Sequence, residues 1–198
     1  MDLNMIEIFP TLIYQFPNFI DEIERKCIFD GIFDNEEMHD DNHPMLIGKS
    51  FCSFRNCEKL NFLSNDIISR IEKHSNHYAD KIGIPKVKLS SYWSVIETPG
   101  CLMKEHNHPN SSISGVIYVN VDQNSHPLVF KNPNPFIGSG YYTHQNKYNT
   151  STHEVHPQNG DLILFPGWLE HGSDYIMNET DTRVSISFNL IRDYSDES

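Results

Sequence analysis

The sequence predicts a mainly β protein, a small barrel or jelly roll, with N-terminal helices packed on the outer face of its sheet. Two observations predict this class. After Pro85 the chain consists of short apolar stretches separated by Gly, Pro and Asn turns, whereas before it apolar residues recur mainly at helical spacing. The 198 residues contain no internal repeat. We therefore expect one domain over residues 1–198, with a strand and supporting helices in 1–85 and the β core in 86–198.

The first predicted element is a strand near the N-terminus. Ile6–Phe16 is apolar and aromatic and contains Pro10, which a central strand would not tolerate. We expect this strand to lie at the edge of the main sheet. An exposed edge of this kind would permit a homodimer.

Two helices are expected to follow. Apolar residues at helical spacing, with acidic residues early, predict a short amphipathic helix within Phe19–Phe33 that ends near Gly31. The same periodicity predicts a longer helix over Asn65–Ile82, with Gly83 as its stop signal.

The remainder of the chain predicts a series of short strands. They are Lys88–Glu97, Leu102–His108, Ser112–Asp122, Leu128–Lys131, Thr152–Val155, Asp161–Phe165 and Thr182–Arg192. In the last strand polar and apolar side chains alternate, with Arg183, Ser185, Ser187 and Asn189 on one face and Val184, Ile186, Phe188 and Leu190 on the other. A sheet with a polar inner face and an apolar outer face requires a covering layer, and the two helices are the candidates for it.

Composition narrows the range of partners and locations. A formal net charge of −12 opposes nonspecific binding to nucleic acid or to anionic membranes, so neither is expected as a partner. No apolar run approaches the length of a membrane span, and Met1–Asn4 lacks the basic region of a secretory signal. The four cysteines show no Cys-x-x-Cys pairing, which favours reduced thiols. We expect a cytoplasmic protein.

The most informative short motif is the pair His106 and His108. In an extended strand, side chains two residues apart point to the same face, so both imidazoles enter one space. A third histidine, His171, follows an apolar strand that Pro166 redirects, and it can face back toward the pair. Three such ligands from two strands leave coordination positions open, which suits non-heme iron and dioxygen rather than a closed structural zinc site.

A cationic side chain follows the third histidine. Arg183 lies twelve residues after His171 and shares a strand face with Ser185. An arginine directed into a sheet interior is costly unless an anion meets it, and its planar fork suits a carboxylate. The sequence therefore predicts a bound acid beside the metal.

These motifs resemble the Fe(II)/2-oxoglutarate-dependent oxygenases. The similarity is strongest to the prolyl-hydroxylase-like branch and to a family of small oxygenases of bacteria and phages, and it covers most of the chain. The segments that carry it are Phe9-Pro10-Thr11, His106–Pro109, Ser114–Tyr118, Gly160–His171 and Arg183–Asn189. The resemblance implies a double-stranded β-helix and a dioxygenase that uses Fe(II), 2-oxoglutarate and O2. Such an enzyme hydroxylates a substrate and releases succinate and CO2.

Residue by residue, the resemblance implies that His106 and His171 are iron ligands and that Arg183 with Ser185 binds the distal carboxylate of 2-oxoglutarate. Tyr118 corresponds to a tyrosine whose hydroxyl meets the same carboxylate in prolyl-hydroxylase-like enzymes. No catalytic side chain beyond the metal centre is implied. No motif identifies the primary substrate, and a small molecule, a protein side chain and a nucleobase all stay open, although the charge of the protein argues against nucleic acid.

One position departs from the pattern of the superfamily. His108 stands where most members have Asp or Glu, and we expect it to be the third ligand. Three neutral imidazoles leave the iron one unit more positive than two imidazoles and a carboxylate, which should alter its redox potential and its affinity for anionic 2-oxoglutarate.

Two other classes compete with this interpretation. A cupin, either a metal-binding protein or a dioxygenase that does not need 2-oxoglutarate, shares the spacing of Gly100 to His106 and of Gly160 to Pro166. The cupin glutamate is absent from 109–113, however, and a cupin does not account for Arg183. The third class is a noncatalytic jelly-roll protein.

Overall fold

The computed structural model describes residues 9–41 and 43–195. Within these residues, two α-helices and eleven strands follow one another. They are β1 (Tyr14–Phe16), α1 (Glu22–Phe33), β2 (Leu46–Ile47), β3 (Ser50–Cys52), α2 (Asn65–Ile82), β4 (Val87–Glu97), β5 (Leu102–Met103), β6 (Ile113–Asn120), β7 (Leu128–Lys131), β8 (Thr152–Val155), β9 (Leu162–Pro166), β10 (His171–Gly172) and β11 (Arg183–Arg192).

The strands form a large sheet, a smaller one and a two-stranded ribbon. The main sheet has the order β1-β9-β6-β11-β4-β3, the second sheet has the order β10-β7-β8, and β2 pairs with β5. All the pairings are antiparallel. This mainly β architecture confirms the predicted jelly roll. Strands β1 and β3, from the first part of the chain, pair with β9 and β4 of the core.

The alternation in β11 separates the two faces of the main sheet. Its polar residues Arg183, Ser185, Ser187 and Asn189 line an internal cavity. Its apolar residues Val184, Ile186, Phe188 and Leu190 join a core with residues of both helices, among them Ile28, Ile32, Ile67 and Ile71. The helices therefore cover the apolar outer face, as predicted. This layer removes water from the largest apolar cluster and holds the polar face toward the cavity.

Helix α1 extends past its predicted end near Asp30-Gly31. Asp21 caps it with a capping box, in which its carboxylate accepts from the Glu24 N–H at 2.9 Å. The helix passes through Gly31 and ends at Phe33. The prediction of an end near Gly31 was wrong because Ile28 and Ile32, one turn apart, are both buried against the sheet, and their burial outweighs the low helix propensity of one glycine.

Two strand predictions also needed correction. The predicted strand Leu102–His108 is regular only at Leu102–Met103, because the chain changes partner after Met103, from β2 to His171. The predicted N-terminal strand is observed at Tyr14–Phe16, at one edge of the main sheet, and residues 6–8 lie outside the described part of the chain. Helix α2 matches the prediction at both ends, with Ser64 as N-cap and Gly83 in the left-handed conformation as C-cap.

Candidate metal and carboxylate site

Three histidines meet at the opening between the two sheets. His106 and His171 form an isolated antiparallel bridge in which each backbone N–H donates to the other carbonyl at 2.9 Å. The backbone N–H of His108 donates to the carbonyl of Gly167 at 2.7 Å. These backbone bonds hold the segment 106–108 against the segment 167–171. The bridge keeps the first segment extended, so both of its imidazoles face His171.

The imidazole rings are close enough to share one ion. The ring centres lie 4.4 Å apart for His106 and His171, 5.1 Å for His106 and His108, and 5.3 Å for His108 and His171. One ring nitrogen from each residue lies within 4.8 Å of the other two. Within residues 9–41 and 43–195, no other group of His, Cys, Asp and Glu side chains meets this condition.

Hydrogen bonds show which ring nitrogens of His106 and His171 are free to bind a metal. Nδ1 of His106 lies 2.9 Å from the carbonyl oxygen of Lys104, and Nδ1 of His171 lies 2.9 Å from that of Leu169. A carbonyl only accepts, so each Nδ1 carries the proton and each Nε2 keeps its lone pair. This is the arrangement that usually orients a metal-binding histidine.

Burial also favours neutral rings. It lowers the pKa of His171 to about 3 and that of His108 to about 4, and in both cases repulsion from His106 adds to the effect. The pKa of His106 is lowered as well, chiefly by burial. Neutral imidazole is the form that coordinates a metal. The neighbouring Glu105 points away and pairs with Lys131 at 2.7 Å, which leaves the three histidines as the donor set.

Gly167 allows the two histidine segments to approach. A Cβ atom at this position would lie 2.1 Å from the carbonyl oxygen of Ser111 and 2.9 Å from that of His108. Both are backbone atoms that cannot rotate away. The site therefore needs glycine here because of space, since the backbone conformation of Gly167 is not one that favours glycine.

We expect Gly167→Ala to destabilise the fold by about 1–3 kcal/mol, because the methyl group forces the His108 and Ser111 backbone apart. Iron affinity should fall in parallel, since His108 moves with its backbone. Urea denaturation measures the first effect and anaerobic Fe(II) titration the second. Gly138→Ala is the matched control: a Cβ there has nothing within 4 Å, so its free energy of unfolding should change by less than about 0.5 kcal/mol. Equal effects of the two substitutions would show that close backbone approach is not what requires Gly167.

A cavity of about 250 Å³ extends inward from the histidines. It is lined by the three histidines and by Tyr118, Arg183 and Ser185, so all six predicted site residues lie around one space. Tyr118, Arg183 and Ser185 are buried. The guanidinium carbon of Arg183 lies 5.4 Å from the ring centre of Tyr118. Strand register explains this grouping, since Ser185 of β11 pairs with Tyr118 of β6.

Two donors in this cavity lack a partner. Nε of Arg183 and the hydroxyl of Tyr118 are buried and make no hydrogen bond to any residue within 9–41 and 43–195. Burial raises the pKa of Tyr118 to about 12, so its hydroxyl keeps its proton and can donate. A buried donor without an acceptor costs about 1–3 kcal/mol, and a carboxylate oxygen is a good acceptor for either kind of donor. The residues present therefore fit an anionic cosubstrate.

Sequence reasoning missed two polar residues of this site. Glu97 and His126 are buried beside Arg183, and Nη1 of Arg183 donates to Oε2 of Glu97. Glu97 ends β4 before a Thr-Pro-Gly turn, and His126 precedes β7. Neither lies in a motif. The pairing of β4 with β11 places Glu97 beside Arg183, and His126 joins them through its contact with Glu97.

Comparison with known proteins identifies the chain. A family model described as "Putative 2OG-Fe(II) oxygenase" matches residues 91–189, half of the chain, which includes His106, His108, His171 and Arg183. The chain belongs to this family. The oxygenase is therefore a non-heme dioxygenase that uses Fe(II), 2-oxoglutarate and O2, which favours the predicted function over the cupin and the noncatalytic jelly roll. A search of curated protein sequences gives no match.

Solved structures share the fold of the oxygenase. A prolyl-4-hydroxylase from Pseudomonas putida superposes with a TM-score of 0.65 at 12% identity over 92% of this chain and 94% of that one. A viral collagen prolyl hydroxylase from Paramecium Bursaria Chlorella virus-1, in a 2-oxoglutarate complex, gives 0.57 at 13% identity over 90% and 94%. HygX from Streptomyces hygroscopicus, with nickel, 2-oxoglutarate and hygromycin B bound, gives 0.60 at 11% over 93% and 84%. At these identities the likeness establishes the fold alone.

Among the residues that the structure describes, no helix combines the length and the apolar character needed to cross a bilayer.

Proposed function

We propose that His106, His108 and His171 hold the Fe(II) of this oxygenase and that Arg183, Ser185 and Tyr118 bind the distal carboxylate of 2-oxoglutarate. The observation that carries this proposal is the pair of unpartnered buried donors, Arg183 Nε and Tyr118 Oη, in the same cavity as the histidines. When bound, the iron and 2-oxoglutarate supply the oxidative decarboxylation that yields succinate and CO2 and hydroxylates the substrate.

The residues of the chain contribute orientation and a dry environment. The Nδ1–H groups of His106 and His171 donate to backbone carbonyls, which keeps both rings turned toward the shared centre. Arg183 and Tyr118 supply donors to one end of a dicarboxylate, which leaves its 2-oxo acid end for the metal. Phe165, whose ring centre lies 4.5 Å from that of His171, closes the apolar side of the site.

A histidine in place of the acidic ligand changes the charge of the centre. Three neutral imidazoles leave Fe(II) with its full double charge, whereas a carboxylate ligand would cancel one unit. The dianion 2-oxoglutarate meets this centre at one end and Arg183 at the other. We infer that the three-histidine set suits an anionic cosubstrate in an otherwise acidic protein.

The primary substrate is proposed to be a small molecule or a protein side chain that reaches the iron past an aromatic wall. The rings of His43 and Phe54 lie 5.6 Å apart, those of Phe54 and Trp93 5.0 Å, and those of Trp93 and His108 6.1 Å. Phe54 is 43% exposed, so this row runs from the surface to a histidine of the site. The true substrate should accelerate the formation of succinate from 2-oxoglutarate. Measuring succinate in the presence of candidate compounds is therefore the assay for the substrate.

Anaerobic addition of 2-oxoglutarate to the Fe(II)-loaded protein tests the proposed function. We expect a weak visible charge-transfer band, because a 2-oxo acid chelated to ferrous iron absorbs there. Succinate, which has no 2-oxo group, is the control and should produce no band. If 2-oxoglutarate produces no band at saturating concentration, the proposed site is wrong.

A further inference from the structure

A buried group of three charged side chains forms part of the cavity wall, where Arg183 and His126 line the cavity. It consists of Arg183 of β11, Glu97 of β4 and His126 of the segment before β7. Their exposures are 4%, 0% and 4%. Glu97 lies between the other two: Oε2 accepts from Nη1 of Arg183, and Oε1 lies 2.9 Å from Nε2 of His126. Burial on this scale is costly for charges unless each is paired.

The contacts of this group define its charge. Burial alone would raise the pKa of Glu97, but the charge of Arg183 and the contact with His126 hold it at about 2, so Glu97 is ionised. His126 has an oxygen acceptor at each ring nitrogen, with the Pro127 carbonyl 3.0 Å from Nδ1 and the Glu97 carboxylate 2.9 Å from Nε2. Neither oxygen can donate. Each ring nitrogen therefore faces an acceptor, and only the imidazolium form, with a proton on both nitrogens, satisfies the two contacts.

The net charge of Arg183, Glu97 and His126 affects how strongly the site attracts the carboxylate of 2-oxoglutarate. Arg183 paired with Glu97 alone would be a neutral pair with little attraction for another carboxylate. The imidazolium of His126 balances Glu97 and leaves the group with a net positive charge. That charge lies beside the two unpartnered donors, Arg183 Nε and Tyr118 Oη.

We propose that Glu97 and His126 are positioning residues for the cosubstrate: Glu97 orients the guanidinium of Arg183 through one N–H group, and His126 offsets the charge of Glu97, so that the site keeps a positive charge for a second carboxylate. The inference rests on the proposed function, since it assigns a role to residues beside the proposed 2-oxoglutarate site. Among the residues that the structure describes, the side-chain hydrogen bonds of Glu97 and His126 go to Arg183, to each other and to the Pro127 carbonyl, and not to the three histidines.

A single variant that removes the positive charge of the group and a double variant that restores it test this inference. Calorimetry would measure 2-oxoglutarate binding to anaerobic Fe(II)-loaded protein for the wild type, His126→Gln and the double variant Glu97→Gln/His126→Gln. The single change leaves Glu97 uncompensated, and we expect affinity to fall on the order of tenfold. The double change removes the anion as well, which restores the positive charge, and affinity should recover to within about threefold of the wild type. His156→Gln, at an exposed histidine, is the control and should bind as the wild type does.

The outcomes separate the two proposals. A double variant as weak as the single one, or a single variant that binds like the wild type, overturns the roles of Glu97 and His126 and leaves the proposed function standing. A wild-type protein that binds Fe(II) but not 2-oxoglutarate overturns the proposed function itself.

Nitrogen NMR of the wild type tests the charge of His126 without any substitution, and it applies even if His126→Gln does not fold. Long-range proton–nitrogen correlation at neutral pH should show a proton on both ring nitrogens of His126. A neutral ring, with one protonated nitrogen, would overturn the inference.

Discussion

Replacing His171 by alanine is expected to weaken Fe(II) binding by more than about a hundredfold and to abolish succinate formation. His171 is the most buried of the three ligands, at 4% exposure, and its backbone bridges to His106. Two remaining imidazoles from one segment cannot surround an ion from two sides. Anaerobic Fe(II) titration, followed by competition with a chelator, measures the loss.

Two companion variants sharpen this test. His156→Ala removes an exposed histidine outside the site and should leave Fe(II) affinity unchanged. His108→Asp restores the acidic ligand that most of the superfamily carries, and iron binding should persist because a carboxylate is a good ligand for ferrous iron. Wild-type Fe(II) affinity in His171→Ala would contradict the three-histidine centre.

Arg183→Ala is expected to raise the 2-oxoglutarate concentration needed for half-maximal binding by about a hundredfold or more, while Fe(II) affinity stays nearly unchanged. The substitution removes the guanidinium that we propose binds the distal carboxylate, but none of the three histidines. It also breaks a buried ion pair with Glu97, so the free energy of unfolding should fall by about 3–5 kcal/mol. Titration of the charge-transfer band and urea denaturation measure the two effects separately.

Arg192→Ala provides the control on the same strand. Arg192 lies at the exposed end of β11, far along the strand from Arg183, and its loss should not alter the 2-oxoglutarate requirement. The assignment of roles would be wrong if Arg183→Ala lost Fe(II) while its dependence on 2-oxoglutarate stayed normal.

The fold was predictable wherever local pattern and tertiary packing agree. Helix α2 combines an N-cap serine, a clear apolar stripe and a C-cap glycine, and its predicted bounds match the observed ones. Strands β7 and β8 also match. The predictions failed where a partner elsewhere in the chain decides the outcome. The segment after Met103 leaves its ladder because its next partner is His171, and no local pattern contains that information.

The residues of the candidate site also fall into those that the sequence predicted and those that it did not. His106, His108, Arg183 and Ser185 could be proposed because period-two spacing places each pair on one face of an extended segment. Glu97 and His126 carry no such signal. A glutamate at a strand end and a histidine before a proline are ordinary surface residues in most sequences. Their burial is seen only in the tertiary structure, where Glu97 pairs with Arg183 across β4 and β11 and His126 contacts Glu97.

The sequence by itself determined the types of ligand, their order along the chain and the polar and apolar faces of β11, because these follow from side-chain chemistry and from the alternation of an extended backbone. Only the tertiary structure decided that three histidines from two segments meet beside one cavity, and that the arginine within it is already paired with a buried glutamate. The physical reason is that strand pairing joins residues such as Glu97 and Arg183, which are far apart in the chain. The energy of a charge buried there depends on every neighbour that the pairing supplies.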